Sequence, residues 1–129
     1  MAARSKSTAH LPRVKRVYEP PSDDDGLRIL VDRLWPRGIA KDKARIDLWL
    51  KDIAPSHVLR KRLHADPTTW DTFIADYARE LAQPAAAAAV ATLRTHLAKG
   101  AVTLLYGARN EERNNATALK AWLEHASRD

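Results

Sequence analysis

A chain of 129 residues with a net charge of +6 and a pI near 9.9 is long enough for one domain with its own apolar core, unaided by disulfides or metal. It contains no cysteine, which excludes disulfide frameworks, thiolate zinc sites and cysteine nucleophiles. No apolar run approaches the roughly 20 residues a bilayer span needs, and the N-terminus lacks the apolar segment of a signal peptide, so the expected compartment is the cytoplasm.

The basic excess is local. Arg4, Lys6, Arg13, Lys15 and Arg16 lie at the start of the chain with no acid among them, and taking those five from the 22 Lys and Arg leaves 17 against 16 Asp and Glu. The sequence predicts a flexible basic arm over 1–12 ahead of a single domain over 13–129, whose body is nearly neutral once all five of these residues are set aside. Such an arm is either a solvated tail or a weak polyanion contact.

In chain order, Val14 to Tyr18 reads as a first short strand. Glu19 to Gly26 (Glu-Pro-Pro-Ser-Asp-Asp-Asp-Gly) reads as a turn-rich connection, and Leu27 to Arg33 as a second strand. Ile46, Trp49, Leu50 and Ile53 recur at helical spacing and predict a helix, broken at Ala54-Pro55-Ser56. Ser56 can cap a short helix carrying Leu59 and Leu63. Asp66-Pro67 supplies the cap and first-turn proline of the next, whose stripe is Trp70, Phe73, Ile74, Tyr77 and Leu81. Pro84 opens a further helix with Ala86, Val90, Leu93 and Leu97 on its core face and Gly100 as its stop. Ala101 to Tyr106 is a nearly continuous apolar run suited to a strand buried on both faces. A final helix, about Glu111 to Ala126, buries Leu119, Trp122 and Leu123. This order predicts a single α/β domain with a small, mainly parallel sheet of about three strands packed by several helices.

The chemistry concentrates where two strands end. Asp32, Arg33, Trp35 and Arg37 follow the second strand, while Tyr106, Gly107 and Arg109 follow the last, just before Asn110 and the final helix. In a parallel sheet these ends share one edge, where open α/β sheets bind ligands, and a helix N-terminus there favours an anion. Arg33, Arg37 and Arg109 are the expected holders of a phosphate or carboxylate, which the guanidinium fork matches bidentately. Trp35 or Tyr106 would wall the pocket, and Asn114 and Asn115 would orient the ligand. If a reaction occurs, Asp32 is the best proton-transfer candidate. The same residues also fit a structural reading, with Asp32 and Arg33 in an ion-pair network with Arg109 and Trp35 in the core.

Other signatures are missing. His10, His57, His64, His96 and His125 show no metal-ligand spacing, so no metal site is predicted. There is no P-loop, no dinucleotide glycine loop and no nucleophile elbow. The expected function is therefore binding of an anionic small molecule, a nucleotide or phosphorylated metabolite, in an Arg-lined cleft at the strand carboxyl ends. A nucleic-acid module using the basic arm and the same Arg cluster is the first alternative, with weak affinity expected from so neutral a body. A non-catalytic structural or interaction protein is the second.

Several motifs also carry a family likeness. The Leu30 to Gly38 stretch with Gly26-Leu27-Arg28 ahead of it, Ala54-Pro55-Ser56 followed by Leu59-Arg60, Phe73 to Tyr77 with Glu80-Leu81, and Leu104-Leu105-Tyr106 leading into Asn114 and Ala116 closely resemble the YeaO-like family of bacterial proteins of unknown function. The resemblance spans about Val14 to Leu123 and implies a small bacterial cytosolic α/β protein without implying a reaction. In the wider superfamily the first segment often reads Asp-Val-Arg…Pro and the last often carries Cys-His-Arg. The places that resemble them here are Asp32-Arg33…Pro36-Arg37 and Arg113-Asn114-Asn115, so the likeness implies polar groups at the same two strand ends. This chain departs in lacking the Cys and in carrying Asn115 where YeaO-like proteins commonly have His. Chemistry that needs a thiolate, or an imidazole at that place, is not expected.

Overall fold

The computed structural model describes residues 11–41 and 45–126, so most of the basic arm lies outside the described residues. Strands β1 (Arg13–Arg16), β2 (Leu27–Leu30), β3 (Leu48–Trp49) and β4 (Val102–Tyr106) form one parallel sheet. Their spatial order is β1-β4-β2-β3. Helices α1 (His57–Ala65), α2 (Trp70–Leu81) and α3 (Pro84–Lys99) lead into β4, and α4 (Asn115–Ala126) follows it. Among the described residues no helix is long and apolar enough to cross a membrane.

Strand β4 is buried at every position, as its apolar run requires of a strand flanked on both sides. Alternation then divides the sheet. Ile29, Val31, Leu104 and Tyr106 join Phe73, Tyr77, Leu93 and Leu119 of the helices in the main core. Leu30, Leu105 and Val17 face the other way, under Trp35, Ile39, Ile46 and Trp49. Fully burying side chains of this size is worth about 1.5–3 kcal/mol each. Both faces are therefore covered, one by helices and the other by the connection between β2 and β3.

That connection corrects the expected strand count from about three to four. The spacing of Ile46, Trp49, Leu50 and Ile53 predicts a helix, but Ile46 and Trp49 serve the loop-covered cluster whereas Ile53 belongs to the helical core. Residues divided between two faces cannot form one helical stripe. The segment instead pairs with β2, with Asp47 N–H donating to Arg28 O (2.8 Å), Leu50 N–H to Leu30 O (3.0 Å), and the Asp47 carboxylate accepting from Arg28 N–H (2.9 Å). Several boundaries also move: β1 runs Arg13–Arg16 rather than Val14 to Tyr18, and the Asp66-Pro67 cap opens a single 3₁₀ turn, Pro67–Thr69, ahead of α2. Strand β2 stops at Leu30 rather than Arg33. The last helix starts at Asn115 rather than Glu111, because Asn114 Oδ1 caps it by accepting from Thr117 N–H (2.9 Å). The residues before it form a turn on Asn110, whose Oδ1 accepts from the N–H groups of Glu112 and Arg113.

At the amino end of the sheet a buried charge cluster fixes the crossing from β1 to β2. Asp25 and Arg28 are only 2% and 4% exposed and are ion-paired. Lys15 of β1 adds a second ion pair to Asp25 (3.0 Å), Ser22 donates to the same carboxylate through N–H and Oγ–H, and Thr103 donates to Asp25 O (2.7 Å). Burial pushes the Asp25 carboxyl up, but the donors from Ser22, Lys15 and Arg28 outweigh it and hold it well below the usual carboxylate range. Part of the basic excess assigned to the arm is thus built into the sheet. Beside the cluster, Gly26 has φ +64°, and a Cβ there would lie 2.2 Å from Ala101 O, so no other residue fits without displacing backbone.

Candidate functional site

The opposite end of the sheet is open. A cleft of about 700 Å³ lies beyond the carboxyl ends of β2 and β4, roofed by the start of α1 and the loop before α4. Its volume falls in the range of small-molecule sites.

Asp32 forms the floor. Its place is fixed through the main chain, since Val31 N–H donates to Leu105 O (3.1 Å) and the Trp49 indole N–H donates to Asp32 O (2.7 Å). The carboxylate accepts from Gly107 N–H at Oδ2 (2.9 Å) and from Asn115 Nδ2 at Oδ1 (3.0 Å). Both donors are neutral, and no cation bonds it among the described residues. Burial therefore dominates and raises the Asp32 carboxyl above its ordinary value, against the opposing pull of Asn115, Gly107 and the nearby Arg60 charge. Gly107 is matched to this contact, because a Cβ there would press on Asp32 Oδ2 at 3.2 Å.

Asn115 is almost wholly buried, and its amide orientation follows from its partners. Nδ2 donates both to Asp32 Oδ1 and to Val31 O (3.0 Å), so the atom facing these two acceptors must be the nitrogen. Oδ1 is left without a protein partner among the described residues.

Cations surround this floor. Arg37, Arg60, Arg109 and Arg113 line the cleft with His64, and Asp32 is the only carboxylate among its lining residues. Arg113 Nη1 donates to Pro67 O (3.0 Å). The guanidinium groups of Arg37, Arg60 and Arg109 have no hydrogen-bond or ion-pair partner among the described residues. Tyr18 and Trp35 supply aromatic walls. The Tyr18 hydroxyl donates to Arg37 O (2.9 Å) and Arg16 lies over its ring, while the Trp35 indole donates to Ile39 O (2.7 Å) and its ring meets Trp49 edge-on at 5.5 Å. Trp35 is thus both pocket wall and part of the loop-covered core.

Of the residues singled out from the sequence, Asp32, Trp35, Arg37, Arg109, Asn114 and Asn115 share this cleft. Arg33 and Tyr106 are not among its lining residues. Arg33 turns away and donates to Ala54 O (2.9 Å) and Pro55 O (3.4 Å), tying the β2 exit to the start of α1. Tyr106 points into the helical core, where burial, followed by the Glu111 and Glu19 charges, raises its phenol. Asn114 reaches the wall but spends its amide on the cap and on Asn110 O (2.9 Å). The sequence reading did not place Arg60 or His64 in the site, and reached Arg113 only through the stretch that the family likeness singled out. Arg60 had a signal in the Leu59-Arg60 pair, set on the first turns of a helix that Ser56 caps by accepting from Leu59 N–H (3.3 Å).

Comparison with known proteins adds a family. The profile described as "Inactive DUF488-N3 subclade" (DUF488-N3i) matches residues 12–129. The uncharacterised protein YeaO of Escherichia coli is 46% identical over 109 residues, covering 84% of this chain and 93% of that protein. The uncharacterised protein Mb3100c of Mycobacterium bovis is 44% identical over 107 residues, covering 83% and 88%. No solved structure is a significant match.

Proposed function

The chain belongs to the DUF488-N3i family, and from that premise we propose that the cleft is a receptor for a small anion, a nucleotide or a phosphorylated metabolite, and not a catalytic centre. One observation carries this reading. Three guanidinium groups, of Arg37, Arg60 and Arg109, converge on one cleft without protein partners among the described residues, and a single carboxylate faces them. Clustered like charges repel, and an anion held bidentately turns that repulsion into attraction.

Two observations argue against turnover. The family description reads inactive, and the group bonded to Asp32 Oδ1 is the Asn115 amide, which does not ionise in the accessible pH range. Among the described residues no titratable group is hydrogen-bonded to Asp32.

Thermal unfolding of the full chain with inorganic phosphate, and separately with ribose 5-phosphate, tests the proposal. A ligand bound only by the folded state raises its stability. The melting temperature is expected to rise with each probe, and the rise to vanish in the Arg37→Ala, Arg109→Ala double variant. No rise in the parent chain, or an equal rise in the variant, overturns the reading.

A further inference from the structure

The hydrogen-bonding groups of the cleft are sorted by kind. Asp32 offers two carboxylate oxygens that each hold one neutral donor, and a carboxylate oxygen has a second lone pair to give. Asn115 has used its nitrogen on protein acceptors, and its Oδ1 has no protein partner among the described residues. The floor thus presents acceptors only. Arg37 and Arg109 present donors only, and both are exposed whereas Asp32 and Asn115 lie deeper. The rings of Tyr18 and Trp35 line the same cleft, with Tyr18 46% exposed. A bare phosphate satisfies the cations but leaves the floor repelled. The complementary ligand is bipolar, with an anion at one end, a flat apolar body, and contiguous N–H donors at the other.

Among nucleobases this pattern selects. Adenine and cytosine place an acceptor nitrogen beside the exocyclic amino group, and uracil flanks its N–H with carbonyls, so each turns a lone pair toward the floor. Guanine alone presents adjacent donors, its ring N1–H and its 2-amino group. We propose that the occupant is a guanine nucleotide, its Watson–Crick donor edge on Asp32 and Asn115, its base against Tyr18 and Trp35, and its phosphate at Arg37 and Arg109. This rests on the anion-receptor reading and adds the identity of the other end. The raised Asp32 carboxyl is consistent with a floor whose bonded donors are neutral among the described residues, despite the nearby Arg60 charge.

Calorimetric titration of the full chain with guanosine, inosine and adenosine monophosphates and with ribose 5-phosphate separates the two readings. A hydrogen bond to a charged group is worth about 1.5–3 kcal/mol, or roughly a factor of ten or more in affinity. The guanine nucleotide is expected to bind at least about tenfold more tightly than the adenine nucleotide or ribose 5-phosphate, with the inosine nucleotide, which lacks the 2-amino group, in between. In Asp32→Asn the preference should disappear, while ribose 5-phosphate binds as well as before or better. Equal affinity for ribose 5-phosphate and the guanine nucleotide, or adenine binding as tightly as guanine, overturns the base assignment and leaves the anion receptor standing. A guanine preference that survives Asp32→Asn overturns the role of Asp32. If no phosphate-bearing probe binds, both proposals fall. Should Asp32→Asn not fold, the ranking on the parent chain still decides.

Discussion

Asp25 and Asp32 bracket a single strand, one just before β2 and one just after it, and they meet opposite fates. Asp25 is saturated by Lys15, Arg28 and Ser22, and its carboxyl is held low. Asp32 receives only the neutral Gly107 amide and the Asn115 side chain, and its carboxyl is raised. Cations are present at both ends of the sheet. At the amino end they are bonded to the acid; at the carboxyl end Arg37, Arg60 and Arg109 stand around it unbonded. A charge whose partners are all inside the fold is scaffold, whereas a charge cluster left incomplete is built for something that arrives from outside.

The largest test of that distinction is Asp25→Ala. It strands Arg28, which is 4% exposed, beside Lys15, and removing one partner of a buried ion pair costs about 3–5 kcal/mol. Urea unfolding should show a loss of that size, and a loss under about 1 kcal/mol would mean the amino-end cluster is not scaffold.

A smaller effect should separate neighbouring arginines. Arg33→Ala removes the donors to Ala54 O and Pro55 O and is expected to cost about 1 kcal/mol. Arg37→Ala removes no hydrogen bond or ion pair of its guanidinium among the described residues and should change stability by less than about 0.5 kcal/mol in either direction. Equal losses in the two variants would erase the difference between tie and ligand holder.

The smallest effect is in pH dependence, and its signs oppose each other. A lowered folded pKa makes the Asp25 contribution fully present above the unfolded value, near about 3.9, and lost as pH falls through the folded value. A raised folded pKa makes the Asp32 contribution present below that unfolded value and lost as pH rises through the folded one. Relative to the parent chain, Asp32→Asn should therefore gain stability between pH 4 and pH 7, because the variant has no charge to bury. Melting temperatures of both proteins across that range check this, and a difference that does not vary with pH would show that Asp32 is not perturbed.

Much of this arrangement is legible in the sequence, because it follows from local pattern. The Ser56 and Asp66 caps, the stripe from Phe73 to Leu81 and the apolar run of β4 each have a single physical reading. So does the shared edge of two parallel strand ends, which brings Asp32, Arg37 and Arg109 to one cleft. What stayed hidden depends on tertiary choice. The apolar residues from Ile46 to Ile53 have helical spacing and are nevertheless divided between two faces. Arg33 and Arg37 look alike in the sequence and differ only in whether backbone carbonyls lie within reach. Arg60 belongs to the site because Pro55-Ser56 starts α1 at the cleft mouth, a placement that the apolar stripe of α1 does not report.

The strand order has a consequence for how the molecule comes into being. Strand β4 is the last of the four strands in the chain and lies between β1 and β2, pairing residues as distant as Val14 and Leu104. Until it emerges from the ribosome, β1 has no neighbour in the sheet and the central hydrogen bonds do not exist. Sheets dominated by such distant pairings fold slowly and as a unit. A nascent or truncated chain ending before Val102 holds two separated edges with unpaired N–H and C=O groups, which are templates for association with other chains. The same late strand carries Gly107 and the approach to Asn115 to the floor of the cleft, so the sheet and the floor of the cleft are completed together.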